Sequence, residues 1–304
     1  MMKKLINLLI ALAGFTAAVS GAQPIPVAVG YPPAADWLPA LVAKDTGIFD
    51  KHGLDVSLSK IAIVSNIPAA IMSGSLNIGA TTPTVLIDTS TSGLDLVAVA
   101  GATRFVKDPA IFSVVARQGA DIKTAKDLEG KRVGVPGVRS VADVLFRKWL
   151  IDKGADMSKV AIVEASFPQM KDLLKAGTID AVPVLEPFRS AILSDDTGYR
   201  VSDYIAEVNE DILGVVWAGS RKWLDANPTA APAFRQSLAE ALDFIRDNPE
   251  KAREIEKKYL GFTTQLKVPY SLTLSSAEFD IYANMFKEVG FTEKAADTSK
   301  LIYH

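Results

Sequence analysis

The sequence predicts an α/β chain folded as two lobes, and three observations carry that expectation. Of its 304 residues, 49% are hydrophobic and 22% charged, which describes a globular chain with ample core and excludes a disordered one. Short apolar, β-branched runs alternate with helical patterns from Ile25 onward, as in a sheet flanked by helices. The alternation stops, restarts near Ala110 and later gives way to helix upon helix, in a chain longer than an ordinary single domain.

The first series has strands over residues 25–31, 55–61, 76–80 and 94–100, separated by helices over 37–46, 68–73 and 84–89. The second has strands over 110–116, 132–135, 160–164 and 179–184, with helices over 141–153 and 168–176. In the first of those helices Val141, Leu145 and Trp149 stand at i, i+4 and i+8, which makes one apolar face, and Gly154 supplies the stop. Thr124-Ala125-Lys126-Asp127 has the form of a capping box with Asp in place of Glu, predicting a short helix before Gly130. One more apolar strand, 213–218, precedes helices over 230–246, 249–260 and 276–289. Asn248 suits an N-cap, Pro249 the first helical position, Glu250 the positive helix end and Gly261 the terminus. The expected crossings between lobes are 102–108 and 204–211. Lobe I is therefore expected over 23–103 and 211–304, and lobe II over 104–210.

Residues 1–22 read separately. Lys3 and Lys4, an apolar stretch from Leu5 to Val19 broken by Gly14, and small residues at Ser20-Gly21-Ala22 predict a secretory signal peptide. A chain without cysteine has no site for a lipid anchor, and no later segment is long and apolar enough to span a bilayer. The expectation is a free, monomeric protein in a periplasm, neither membrane-embedded nor lipid-anchored.

Composition also removes chemistries. Lys and Arg total 33 against 35 Asp and Glu, a net charge of −2, so no basic field attracts nucleic acid. Without Cys there is no disulfide, thiolate nucleophile or cysteine-ligated metal, and with only His52 and His304 no histidine-rich cage. There is no nucleophile elbow, phosphate loop or His-Glu-x-x-His, so no catalytic set, metal or cofactor is expected.

Tyr31-Pro32-Pro33-Ala34-Ala35-Asp36-Trp37-Leu38-Pro39-Ala40-Leu41-Val42-Ala43-Lys44, followed by Gly47-Ile48-Phe49 and Gly53-Leu54-Asp55-Val56, resembles the opening of a type II periplasmic binding protein of the sulfonate-, nitrate- and thiamine-precursor-binding group. Similar stretches follow in order: Ala69-Ala70-Ile71-Met72-Ser73-Gly74-Ser75-Leu76-Asn77-Ile78-Gly79, then Asp127-Leu128-Glu129-Gly130-Lys131-Arg132-Val133-Gly134-Val135, then Ala176-Gly177-Thr178-Ile179-Asp180-Ala181 leading to Glu186-Pro187-Phe188. The resemblance implies two α/β lobes, each a mixed sheet flanked by helices, two crossover strands, a ligand held between the lobes and C-terminal helices packed on lobe I. It also implies delivery of the ligand to an ABC permease powered by an ATPase.

Ligands of open α/β sheets sit beyond strand C-termini, near helix N-termini. That places the candidate ligand-binding residues Tyr31, Asp36 and Trp37 after the first strand, Ser65 and Asn66 after the second, and Thr81 and Thr82 after the third. Val138, Arg139 and Ser140 open the strongest helix of lobe II behind Gly137 and form the best anion candidate. Arg104 lies in a proposed crossing, where it either reaches a ligand or pairs with Asp108. Glu186 matches the group's strand-end motif, but Leu185 stands before it where relatives often have Trp; it either binds an amine or hydroxyl or braces an arginine across the cleft. Trp217 covers the pocket or lies in the core. The sequence thus favours capture of a small organic anion, an alkyl or aryl sulfonate or carboxylate. The competing expectation is a neutral or cationic heterocycle such as a pyrimidine thiamine precursor, held by Tyr31, Trp37 and Asp36 or Glu186, and few arginines in the pocket would favour it. An enzyme of pyrimidine-precursor synthesis, suggested by eukaryotic relatives of the group, is the reading from another class.

Overall fold

The computed structural model describes residues 23–265 and 267–304; the expected signal peptide lies outside them. Two five-stranded mixed sheets form the frame. The first contains β1 (Ile25–Tyr31), β2 (Leu54–Lys60), β3 (Ile78–Thr81), β4 (Leu96–Val106) and the late strand β10 (Asp211–Ser220), in the order β2-β1-β3-β10-β4. The second contains β5 (Phe112–Arg117), β6 (Arg132–Val135), β7 (Ala161–Glu164), β8 (Ala181–Leu185) and β9 (Gly198–Ser202), in the order β7-β6-β8-β5-β9. In each sheet three parallel strands carry the helical crossovers, while the other two join antiparallel.

β4 and β10 run side by side from Leu96↔Ser220 to Val106↔Asp211, so both connections between sheets leave from the same end of this pair. β4 continues through most of the segment expected as the first crossing. Within the second, Tyr204–Val208 is a helix that packs on the helix Val141–Asp152. Its Tyr204 is fully buried and links Phe112 and Phe146, with ring centroids at 6.3 and 6.1 Å, and Phe112 meets Phe105 at 5.0 Å. One apolar cluster therefore runs continuously from the first sheet into the second lobe, and a smaller one around Met170, Leu174 and Ile192 lies behind the second sheet.

The local signals act largely as expected. Thr124 and Asp127 form the capping box, Gly154 ends its helix at φ 72° and Gly261 at φ 85°. Asn248 departs from expectation: its side chain caps nothing ahead of it, and its Nδ2 donates back to Phe244 O at 3.2 Å, closing the preceding helix Ala230–Asp247 instead of opening Pro249–Leu260. Both of these helices pack on Leu38–Asp45 of the first lobe, whereas Ser276–Glu288 packs on Pro83–Thr91 and reaches Val141–Asp152 across the lobe boundary. No helix among the described residues is long and apolar enough to cross a membrane.

Candidate functional site

The C-terminal ends of the parallel strands of both sheets face one partly open cavity of about 50 Å³, room for a few water-sized groups. From the first lobe come Pro32, Ala34, Asp36 and Trp37 after β1, Ala62 and Val64 after β2, and Thr82 after β3. Phe105 and Val215 enter from the paired strands, and Phe112, Pro136, Ser140, Val141, Ala142, Phe167 and Leu185 close it from the second lobe. Only Asp36, Thr82 and Ser140 have polar side chains apart from the Trp37 indole N–H, and no Arg or Lys is among the lining residues.

Asp36 is buried in a short helical turn after β1, and its Oδ1 accepts from Thr103 Oγ1 at 2.6 Å across the lobe. Burial raises this carboxyl above the usual carboxylate range, and the Thr103 hydrogen bond only partly opposes that. Trp37 is also buried, edge-on to Trp217 with centroids 4.9 Å apart, and its Nε1 has no hydrogen-bond partner among the described residues. Thr82 caps Pro83–Thr91, accepting from Val85 N at 3.3 Å, with its Oγ1 also 2.8 Å from Thr84 Oγ1.

The second lobe is arranged differently. In the turn expected to hold an anion, Val138 N–H donates to Glu164 Oε1 at 2.8 Å and Arg139 N–H to Asp143 Oδ2 at 2.8 Å. Ser140 caps Val141–Asp152, with Asp143 N at 3.5 Å from its Oγ. Asp143 is fully buried and also accepts from Arg147 Nε at 2.8 Å, so a carboxylate already answers the positive end of this helix. Burial raises its carboxyl, against the pull of Arg147. The Arg139 guanidinium turns out of the lining to pair with Asp88 and lie over the Phe291 ring, 4.9 Å from its centroid. Gly137 is where the lobes touch: a Cβ there would stand 2.9 Å from Val64 Cγ1.

Of the candidate residues, the structure brings Asp36, Trp37, Thr82 and Ser140 to the cavity. Arg139 is spent on Asp88, and Val138 is exposed with its N–H on Glu164. Arg104 pairs with Asp211, Nε to Oδ1 at 2.6 Å, and with Glu278, so neither expectation for it, a ligand or Asp108, describes its position. Glu186 braces no arginine across the cleft: it accepts from Arg189 Nε at 2.6 Å and Ser190 N at 3.2 Å, both within its own lobe and a turn away in sequence. Trp217 lies in the core behind Trp37, and Tyr31 is buried in the first lobe outside the lining, its phenol raised by burial and then by Tyr259. Ser65 donates to Glu164 Oε1 at 2.9 Å, Asn66 is exposed, and Thr81 is buried outside the lining with a hydroxyl that has no partner among the described residues. Sequence reasoning missed the apolar lining, Phe105, Phe112, Phe167 and Val215 among them, because such residues carry no local mark that separates pocket wall from core.

A family model described as NMT1/THI5 like matches residues 34–252, most of the chain and both halves of the cavity. The chain belongs to the NMT1/THI5-like family. Among curated relatives of this family member, the nitrate import ATP-binding protein NrtC of Synechocystis sp. is 25% identical over 302 residues, covering 88% of this chain but 42% of that protein, so this chain spans less than half of its length. A binding protein of Brucella abortus (strain 2308) is 28% identical over 276 residues, covering 85% of this chain and 81% of its own. Among solved structures, the alkanesulfonate-binding protein SsuA from Xanthomonas axonopodis pv. citri, bound to MOPS, superimposes with a TM-score of 0.78 at 17% identity, covering 93% of this chain and 99% of that one. The fold of this NMT1/THI5-like chain is the type II periplasmic binding protein fold.

Proposed function

We propose that this chain is the substrate-binding component of an ABC uptake transporter, working outside the cytoplasmic membrane as a monomer beside a permease and its ATPase, and that its ligand is a small neutral or cationic ring. The observation that carries the ligand class is the lining itself: aromatic and aliphatic side chains, a buried carboxyl at Asp36 and no arginine or lysine. A buried anion needs charge-assisted donors, each contributing about 1.5–3 kcal/mol. The two arginines expected to supply them, Arg104 and Arg139, are held by Asp211, Glu278 and Asp88. A ring with a donor for Asp36 and an acceptor for the free Trp37 N–H, as on the edge of an aminopyrimidine, satisfies both groups and is sandwiched by apolar walls.

A second reading, an organic or inorganic anion, is favoured by one observation: the helices Pro83–Thr91 and Val141–Asp152 both begin at the cavity. The relatives named for nitrate and alkanesulfonate point the same way. A thermal-shift screen of the chain from residue 23 onward separates the two. Aminopyrimidines at about a hundred times their dissociation constant stabilise by about 2.7 kcal/mol, a shift of several degrees for a chain of this size. Alkyl sulfonates, carboxylates and nitrate give no shift on the ring reading; a shift with these alone overturns it.

A further inference from the structure

We propose that Arg139 is a latch that holds the two lobes together from outside the ligand cavity, with the C-terminal segment as its keeper. Three of its features have no use in ligand contact. Its backbone sits in the left-handed region at φ 62°, where a residue other than glycine is uncommon; the bond from its own N–H to Asp143 Oδ2 holds it there. That conformation carries the guanidinium over the lobe boundary to Asp88, on the first-lobe helix Pro83–Thr91. The same guanidinium covers Phe291, which follows the helix Ser276–Glu288, and Arg147 covers the same ring at 4.8 Å. Lys148 adds a pair to Glu288 at 3.3 Å.

Cations of the second lobe thus converge on anions and a ring of the first lobe and its C-terminal extension. On the same face Glu164 gathers Ser65 Oγ from the first lobe and Val138 N–H from the second. The Arg139–Asp88, Arg139–Phe291, Arg147–Phe291, Lys148–Glu288 and Ser65–Glu164 contacts break when the sheets part, whereas the Val138–Glu164 bond and the buried Asp143–Arg147 pair travel with the second lobe intact. Arg139 and Asp88 are partly exposed, with side-chain exposures of 40% and 26%. Such a pair together with a cation–π contact shifts the closed population by several-fold rather than locking it. The latch therefore sets how readily the lobes close independently of which ligand fills the cavity.

The test needs no ligand, so its failure leaves the ligand reading untouched. The chain has no cysteine, so Met72→Cys with Val163→Cys places a fluorophore pair at exposed positions of the two lobes, 46% and 39% accessible. Single-molecule transfer on the ligand-free protein should show a compact population that falls as salt rises about tenfold. Arg139→Asn, chosen because asparagine tolerates the left-handed backbone, and Asp88→Asn should each reduce that population by about threefold. The charge-swapped pair Asp88→Arg with Arg139→Asp should recover it, and circular dichroism confirms that each variant is folded. A distance distribution unchanged in both single variants, or a swapped pair no more compact than either single, overturns the latch.

Discussion

The two halves of the cavity use their polar groups in opposite ways. On the first-lobe side the Trp37 N–H is buried without a partner among the described residues, and Asp36 keeps one anchoring hydrogen bond in a setting that disfavours its charge. On the second-lobe side the Val138 and Arg139 N–H groups end on Glu164 and Asp143, and the guanidiniums of Arg139 and Arg147 end on Asp88 and Asp143. A buried polar group left without a partner costs about 1–3 kcal/mol, and a fold retains such a cost where a ligand later removes it. On the proposed function, the first lobe is the reading surface and the second the cover.

The strongest way to break that contrast is to truncate one aromatic from each side. Trp37→Ala removes a buried ring packed on Trp217 and should cost about 3–5 kcal/mol, lowering the melting temperature by roughly 10 °C and abolishing ligand-induced stabilisation. Phe167→Ala removes a half-buried ring stacked on Phe188 at 5.8 Å and should cost about 1–2 kcal/mol. Equal losses by calorimetry would contradict the asymmetry.

Next in size is Asp143→Asn, which weakens charge-assisted bonds to Arg139 N and Arg147 and should destabilise by about 2 kcal/mol. Because this carboxylate serves the cover, ligand preference in the thermal-shift screen should stay the same; a changed preference would place Asp143 among the reading groups.

Asp36→Asn tests the reading side by pH. The folded-state carboxyl of Asp36 is raised by burial, so the folded protein holds that proton more tightly than the unfolded chain. Stability is lost as pH climbs from the ordinary carboxylate value through the raised one. The variant should lack that part of the decline when denaturant midpoints are compared across pH, while losing affinity for a cationic ring. Parallel pH profiles would remove Asp36 as a buried titrating group. The smallest effect belongs to the caps: Ser140→Ala should cost about 1 kcal/mol and Ser140→Gly only a few tenths, read as shifts of urea midpoint.

Strands were legible where an apolar run is bounded by turn residues, as at Ile25–Tyr31 and Arg132–Val135, and so was Pro249–Leu260 with its proline and glycine bounds. β9 escaped because it is a short edge strand pairing on one side only, and its alternation rests on just Tyr199 and Val201. In the site, strand ends and caps pointed to Asp36, Trp37, Thr82 and Ser140. They could not tell where an arginine goes: the partner of Arg139 lies 51 positions earlier and that of Arg104 107 positions later, and no local pattern encodes such pairings.

The placement of β10 between β3 and β4 also orders events in time. The second sheet draws only on residues 112–202, one uninterrupted stretch, whereas the first waits for residues 211–220 to fill the gap between two strands made more than a hundred residues earlier. A chain emerging from its N-terminus therefore completes its second lobe first, and the lobe that carries Asp36 and Trp37 is the last to become whole.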